Sequence, residues 1–119
     1  MSGGYPLSGG SFPQKYFSAA TVNNTLVITG PRTLRAIVAC NTTSTIYWLH
    51  IYDKAIAPVA GTDVPVATYP LPPNSALFSP DLADGVALLT GLGFSITANP
   101  ADNDATAAAL GIVLNLLVV

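Results

Sequence analysis

Short apolar runs rich in β-branched and aromatic residues recur along the chain, and clusters of Gly, Pro, Asn and Asp separate them. No long stretch shows the 3.6-residue period of an amphipathic helix, whereas such runs between turn residues are typical of β-strands. The pattern predicts about eight short strands, at residues 26–29, 32–40, 45–53, 64–71, 76–78, 86–89, 94–97 and 112–118.

This spacing indicates an all-β fold, a single-domain antiparallel β-sandwich, with a jelly roll as one arrangement that it allows. We expect residues 21–119 to form the sandwich and residues 1–20 an extended N-terminal arm. The prolines at 65 and 70 place the strand at 64–71 on a sheet edge, because proline lacks a ladder donor. One helical turn at most is expected, at residues 104–110.

Polar residues 41–44 lie between the strands at 33–40 and 45–53, so we expect these strands to form an antiparallel hairpin. Residues 90–93 should join 86–89 to 94–97 in the same way. On the strand at 32–40, alternation places Leu34, Ala36 and Val38 on one face and Arg35, Ile37 and Ala39 on the other.

The strand at 45–53 holds the single Trp and the single His of the chain. If Tyr47, Leu49 and Ile51 face the core, then Trp48 and His50 point outward, because successive side chains of a strand alternate. An outward Trp anchors protein interfaces, so Trp48 and His50 are candidate partner-binding residues. The opposite assignment, which buries Trp48, stays open.

Four aromatic side chains lie in the expected arm: Tyr5, Phe12, Tyr16 and Phe17. Because leaving aromatic surface in water is unfavourable, these residues are candidates for docking on a partner surface, for example that of a neighbouring subunit. An unstructured terminus is the alternative.

Composition narrows the classes of function. Apolar residues make up 50% of the 119 residues and charged residues only 8%, which excludes a disordered chain and suggests contact with other protein. The net charge of −2 argues against nucleic-acid binding. The apolar run at 110–119 is too short for a membrane-spanning helix. Cys40 has no partner for an intrachain disulfide, and we expect it to be buried.

Few residues are candidates for chemistry. A single His cannot complete a zinc site, and no nucleophile-elbow motif accompanies it, so neither an enzyme nor a cofactor is expected. Asp102 and Asp104 alternate on a loop, which allows a Ca²⁺ site; a solvated turn, with Asp104 capping a short helical turn, is favoured instead. A carbohydrate- or Ca²⁺-dependent binding module using Trp48, His50 and these carboxylates remains an alternative.

The central part of the chain resembles a family of small proteins encoded among tailed-phage virion genes. The resemblance rests on the sequence from Tyr47 to Ala55, on Pro58 and on residues 61–66, and continues through Gly91, Ile96-Thr97, Asp102-Asn103-Asp104 and Val113-Leu114-Asn115-Leu116. It covers roughly residues 25–117. The chain departs from the family in ending Leu-Leu-Val-Val rather than in an aromatic, and in carrying His50 where a charged residue is usual.

The resemblance implies a virion structural protein, with capsid decoration or cement as the preferred role and a tail, neck or fibre component as the alternative. It implies the major capsid protein or another virion protein as partner, a homo-oligomer with a trimer favoured, and a location in the virion after assembly in the host cytoplasm.

Overall fold

The computed structural model describes residues 12–79 and 85–119, and Tyr5 lies outside them. The described residues form nine strands and no helix, so the expected helical turn at 104–110 is absent from this part of the chain. The strands are β1 (Phe12–Phe17), β2 (Thr25–Thr29), β3 (Arg32–Asn41), β4 (Tyr47–Tyr52), β5 (Ala67–Leu71), β6 (Ser75–Ser79), β7 (Val86–Leu88), β8 (Gly91–Thr97) and β9 (Ile112–Val118).

The strands build two antiparallel sheets, which confirms the predicted all-β sandwich. The five-stranded sheet has the order β1-β9-β3-β6, with β7 beside β6 on the same strand β3, and the four-stranded sheet has the order β2-β8-β4-β5. In both sheets an early strand lies next to a late one. This is the order of a jelly roll, with β7 added as a short ninth strand.

The core lies between the sheets and is built from alternate residues. Strand β9 is the clearest case, because Ile112, Leu114, Leu116 and Val118 are buried while the residues between them are half-buried. In β4 the predicted inner residues Leu49 and Ile51 are fully buried, and Tyr47 packs against the same cluster. The predicted edge position of the strand at 64–71 is also confirmed, since β5 lies at the end of the four-stranded sheet, beside β4.

Strand β3 corrects two expectations. A bulge between Leu34 and Ala36 shifts the alternation, so that Leu34, Ile37 and Ala39 all face the core. The predicted grouping of Leu34 with Val38 is therefore wrong. Cys40, which we expected to be buried, follows the inward Ala39 and is exposed on the outer face.

Neither predicted strand pairing is present. Strand β3 pairs with β6, β7 and β9, whereas β4 pairs with β5 and β8 in the other sheet. The polar residues after β3 form a corner between sheets, held by buried Asn41, whose Nδ2 donates to the carbonyls of Leu71 (2.8 Å) and Thr45 (2.9 Å). Strands β7 and β8 also belong to different sheets. A polar linker can connect strands of two different sheets as well as the two strands of one hairpin.

Residues 12–17, which we placed in the extended arm, form β1 at the edge of the five-stranded sheet. This strand pairs with β9 along its whole length, from Phe12 opposite Val118 to Phe17 opposite Val113. Tyr16 packs edge-on against Phe94, with ring centroids 5.0 Å apart, and so contacts the core. This part of the expected arm is therefore a strand of the sandwich itself. Its partner strand, β9, lies almost 100 residues later in the chain.

Candidate interaction surface

His50 is buried, with 1% of its surface exposed, so the expectation that it points to solvent is wrong. Its Nε2 lies 2.8 Å from Thr97 Oγ1, which in turn donates to the Asn99 carbonyl. Because that hydroxyl proton is already used, Nε2 must be the donor, and Nδ1 then accepts from Thr68 Oγ1 at 3.0 Å. The ring is thus held as one tautomer of the neutral imidazole.

Burial lowers the pKa of His50 below its ordinary value of 6.5, because the charged imidazolium loses hydration. The Asn99 carbonyl and the carboxylates of Asp102 and Asp104 act in the opposite direction and only partly offset this effect. A neighbouring buried pair, Tyr52 Oη and Ser95 Oγ at 3.0 Å, lies on the same face of the four-stranded sheet. This face is polar but closed to solvent.

The connection between β4 and β5 covers this polar face of the four-stranded sheet. We call residues 53–66 the cover loop. Its inner residues Pro58 and Ala60 are buried, and Pro58 lies over Gly93 of β8, which leaves the space for it. A Cβ at Gly93 would stand 2.8 Å from Pro58 Cδ, and a Cβ at Gly91 would overlap the Lys54 carbonyl oxygen.

Hydrogen bonds at both ends fix the cover loop. Asp53 accepts from the backbone N–H groups of Leu89 (2.9 Å) and Thr90 (2.8 Å), and from the Thr90 hydroxyl (2.8 Å). These bonds, with a longer one from Gly91, lower the pKa of Asp53 from 3.8 to about 2. The cover loop is thereby tied to the turn between β7 and β8.

Within the loop, Lys54 Nζ and the backbone N–H of Val59 both donate to Asp63 Oδ2, at 2.7 and 2.8 Å. The bond from Lys54, followed by that from Val59, lowers the pKa of Asp63. Ala60 N–H donates to the side chain of Asn24 (3.1 Å), and Val66 N–H to the Ile51 carbonyl (2.7 Å). Lys54 and Asp63 are therefore paired with each other inside the loop.

The outer surface of the cover loop is aliphatic. Four of its side chains are about half to three-quarters exposed: Ile56 (65%), Val59 (49%), Val64 (73%) and Val66 (54%). Leu89, in the turn that Asp53 holds, is 75% exposed. We call these five side chains the aliphatic surface. Sequence reasoning missed it, although four aliphatic residues in a Pro- and Gly-containing loop were a visible signal.

The other predicted partner-binding residues are scattered. Phe12 is 40% and Phe17 is 70% exposed, and Lys15 Nζ lies 5.0 Å from the Phe17 ring centroid. Tyr16 packs on the core, and Trp48 is half-buried. Phe12 and Phe17 stand at opposite ends of β1, so the structure does not bring the predicted set together.

The carboxylates of Asp102 and Asp104 do not converge on a ligand site. Asp104 accepts from the backbone and side chain of Asn99 and from the Thr106 hydroxyl; burial opposes these bonds, which together lower its pKa. Asp104 thus holds an irregular turn through its side chain, and the short helical turn that we expected it to cap is absent from the described residues. Across residues 12–79 and 85–119, no three His, Cys, Asp or Glu side chains group to hold a metal ion, and no helix there could span a membrane.

The fold and this surface define a class: a jelly-roll β-sandwich whose outer loop presents aliphatic side chains. No family model and no curated protein matches the chain. Among solved structures, the coat protein of Tobacco streak virus aligns with 96% of this chain and 89% of its own, at 11% identity and a TM-score of 0.35.

Proposed function

We propose that this chain is a virion structural protein, specifically a decoration or cement protein that binds the assembled head shell. Its partner is the major capsid protein or another virion protein, and it acts as a homo-oligomer without catalysis or a cofactor. The proposal starts from the sequence resemblance to small tailed-phage virion proteins.

The observation that carries the proposal is the imbalance between exposed apolar and charged groups. In the described part of the chain ten large apolar side chains are exposed, and three of them, Phe17, Val64 and Leu89, are at least 70% exposed. The whole sequence has only four basic and six acidic residues. Such a surface suits a protein that works while covered by other protein, because isolated soluble chains keep more charge at their surface.

The jelly-roll topology is compatible with this role and does not define it. Viral capsid proteins, lectins and cupins all use the architecture, so function must be argued from surfaces. Here the side chains that the resemblance includes form β4, the cover loop and its return to β5. Two side chains of the aliphatic surface, Val64 and Val66, lie at positions that carry the resemblance.

Decoration would stabilise a shell by mass action. A subunit that binds the assembled shell and not its free components adds its binding free energy to the assembled state. No conformational change in the decorating protein is needed, which agrees with the extensive hydrogen bonding of the cover loop.

Cryo-electron microscopy of the virion that encodes the chain tests the proposal. We expect density for the sandwich on the outer surface of the head, at a symmetric set of positions. Density at the tail, neck or fibre would contradict the decoration role and support the alternative structural role. Virions whose purified protein content lacks the chain would overturn both.

A further inference from the structure

We propose that β1 is an exchangeable strand, by which one copy of this chain pairs with β9 of a neighbouring copy in a closed oligomer. The part that moves is β1 together with Ser18, and the hinge is the connection to β2, residues 19–24. The proposal rests on the homo-oligomer of the proposed function, and it names the strand that would hold the copies together.

The edge of β9 is a binding groove that fits the sequence of β1, because in the folded chain this sequence already occupies it. The two strands pair in register from Phe12 to Phe17, and Tyr16 packs edge-on against Phe94. A second copy offers the same strand to the same groove, so an exchange recovers each of these contacts. The occupant is therefore the β1 of another copy, whose complementarity to the groove is visible within one chain.

Strand β1 can leave its place while the other strands stay together. It lies at the end of the five-stranded sheet, and the ladders between the other described strands are formed by residues 25–118. Four residues of β1 are exposed and the other two are half-buried. Strand β9 keeps its pairing with β3 when β1 is absent. The body of the sandwich can thus receive this strand from either copy.

The hinge is short and bent at Asn23. Its φ is 56°, in the left-handed region that residues other than glycine rarely adopt. The Asn23 side chain closes the bend, because it accepts from Ala19 N–H (2.7 Å) and donates to the carbonyls of Ala19 (3.1 Å) and Thr21 (2.8 Å). An extended hinge would release this backbone conformation, and short hinges under strain favour the exchange of an element between copies.

Disulfide trapping in the purified full-length chain distinguishes an exchanged β1 from an unexchanged one. Lys15 and Asn115 are directly opposite each other on β1 and β9, and opposite residues of paired strands are close enough for a disulfide. The chain with Lys15→Cys and Asn115→Cys, and with Cys40→Ala to remove the native thiol, is unfolded in urea, refolded at about 1 to about 200 μM and then oxidised. A non-reducing gel separates disulfides between chains from those within one chain. We expect the interchain fraction to rise with concentration.

The matched control has both thiols in the body of the sandwich. Val113→Cys in a chain that keeps Cys40 gives a pair on β9 and β3, where the two positions are also opposite each other. This pair should form its disulfide within one chain at every concentration. An interchain fraction of the β1 pair that is no larger than that of the control overturns the proposal.

Two changes in the hinge, each made in the chain with the β1 pair, test whether the bend drives the exchange. Asn23→Ala removes the side-chain bonds that close the bend and should raise the interchain fraction. Insertion of Gly-Ser-Gly between Ala19 and Ala20 relaxes the hinge and should lower this fraction at least about twofold. A merely structural role of Asn23 would change the melting temperature and leave the interchain fraction unchanged.

An interchain fraction that is the same in both hinge variants as in the parent chain would also overturn the proposal. None of these measurements depends on whether virions contain the protein, so this proposal and the proposed function fail separately.

Discussion

At the scale of single residues, His50 couples the stability of the sandwich to pH. Its pKa is lowered in the folded chain by burial, whereas in the unfolded chain it takes its ordinary value of 6.5. The unfolded state therefore binds more protons just below pH 6.5, so stability should be full above this pH and decrease as the pH falls below it. His50 is the single His of the sequence, so few other groups titrate there.

Thermal unfolding at intervals from pH 7.5 to 5 measures this effect. The melting temperature of the wild type should fall toward pH 5, and the slope should be much smaller in His50→Gln, which can still accept from Thr68 and donate to Thr97 but cannot titrate. A wild-type melting temperature independent of pH, or an equal slope in the Gln variant, would contradict the prediction.

Sequence alternation predicted the inner residues of β4 correctly and the environment of the outer ones incorrectly. Leu49 and Ile51 face the core because a strand in a sandwich has one face toward the other sheet. His50 is on the opposite face, as predicted, but the cover loop and the loop at 98–106 enclose that face. Alternation describes which side of a sheet a residue takes, and it contains no information on what covers that side.

At the scale of elements, Asp53 joins the cover loop to the turn between β7 and β8. Replacing Asp53 by Ala removes the acceptor for two short backbone N–H bonds and one hydroxyl bond, so we expect a loss of roughly 1–3 kcal/mol in unfolding free energy. Asp53→Asn keeps one acceptor oxygen and should lose less. Urea unfolding at pH 7 measures both, with exposed Asp102→Ala as the control that should unfold like the wild type.

The pH dependence of the same variants adds an independent check. The pKa of Asp53 is about 2 in the folded chain against an ordinary 3.8, so its contribution is complete above pH 3.8 and is lost as the pH falls through about 2. The stability difference between wild type and Asp53→Ala should therefore shrink on acidification. A constant difference down to pH 2 would show that the carboxylate charge is not responsible.

The elements themselves were largely predictable, and their partners were not. All eight predicted runs overlap observed strands, because apolar β-branched runs and turn residues act locally. The hairpin between β3 and β4 was wrong because the decisive groups, such as the Leu71 carbonyl that Asn41 contacts, come from distant parts of the chain. The bulge in β3 likewise follows from register against β9 and has no local signal.

At the scale of the whole molecule, the jelly roll brings the two ends of the described chain together in the five-stranded sheet. Strand β1 covers the edge of β9, and just after it the Ser18 hydroxyl donates to the Ala109 carbonyl (2.6 Å) and accepts from Ile112 N–H (3.0 Å). No local pattern could place residues 12–18 there, since β1 lacks the apolar alternation of a typical strand and its partner is remote. Two truncations, one that removes β1 and one that ends before residue 12, can therefore test the two parts of the N-terminal segment separately.

Deleting residues 1–18 should strongly destabilise the sandwich, because it removes β1, the packing of Tyr16 on Phe94 and the Ser18 bonds. Loss of one large aromatic from a core costs about 3 kcal/mol, so we expect the melting temperature to fall by more than about 10 °C. The exposed edge of β9 should also promote aggregation. Deleting residues 1–11 keeps β1, which makes it the suitable variant for testing whether Tyr5 binds a partner. If both truncations melt like the full-length chain, β1 is not an integral strand, and the aromatic residues of 12–17 become free to dock elsewhere.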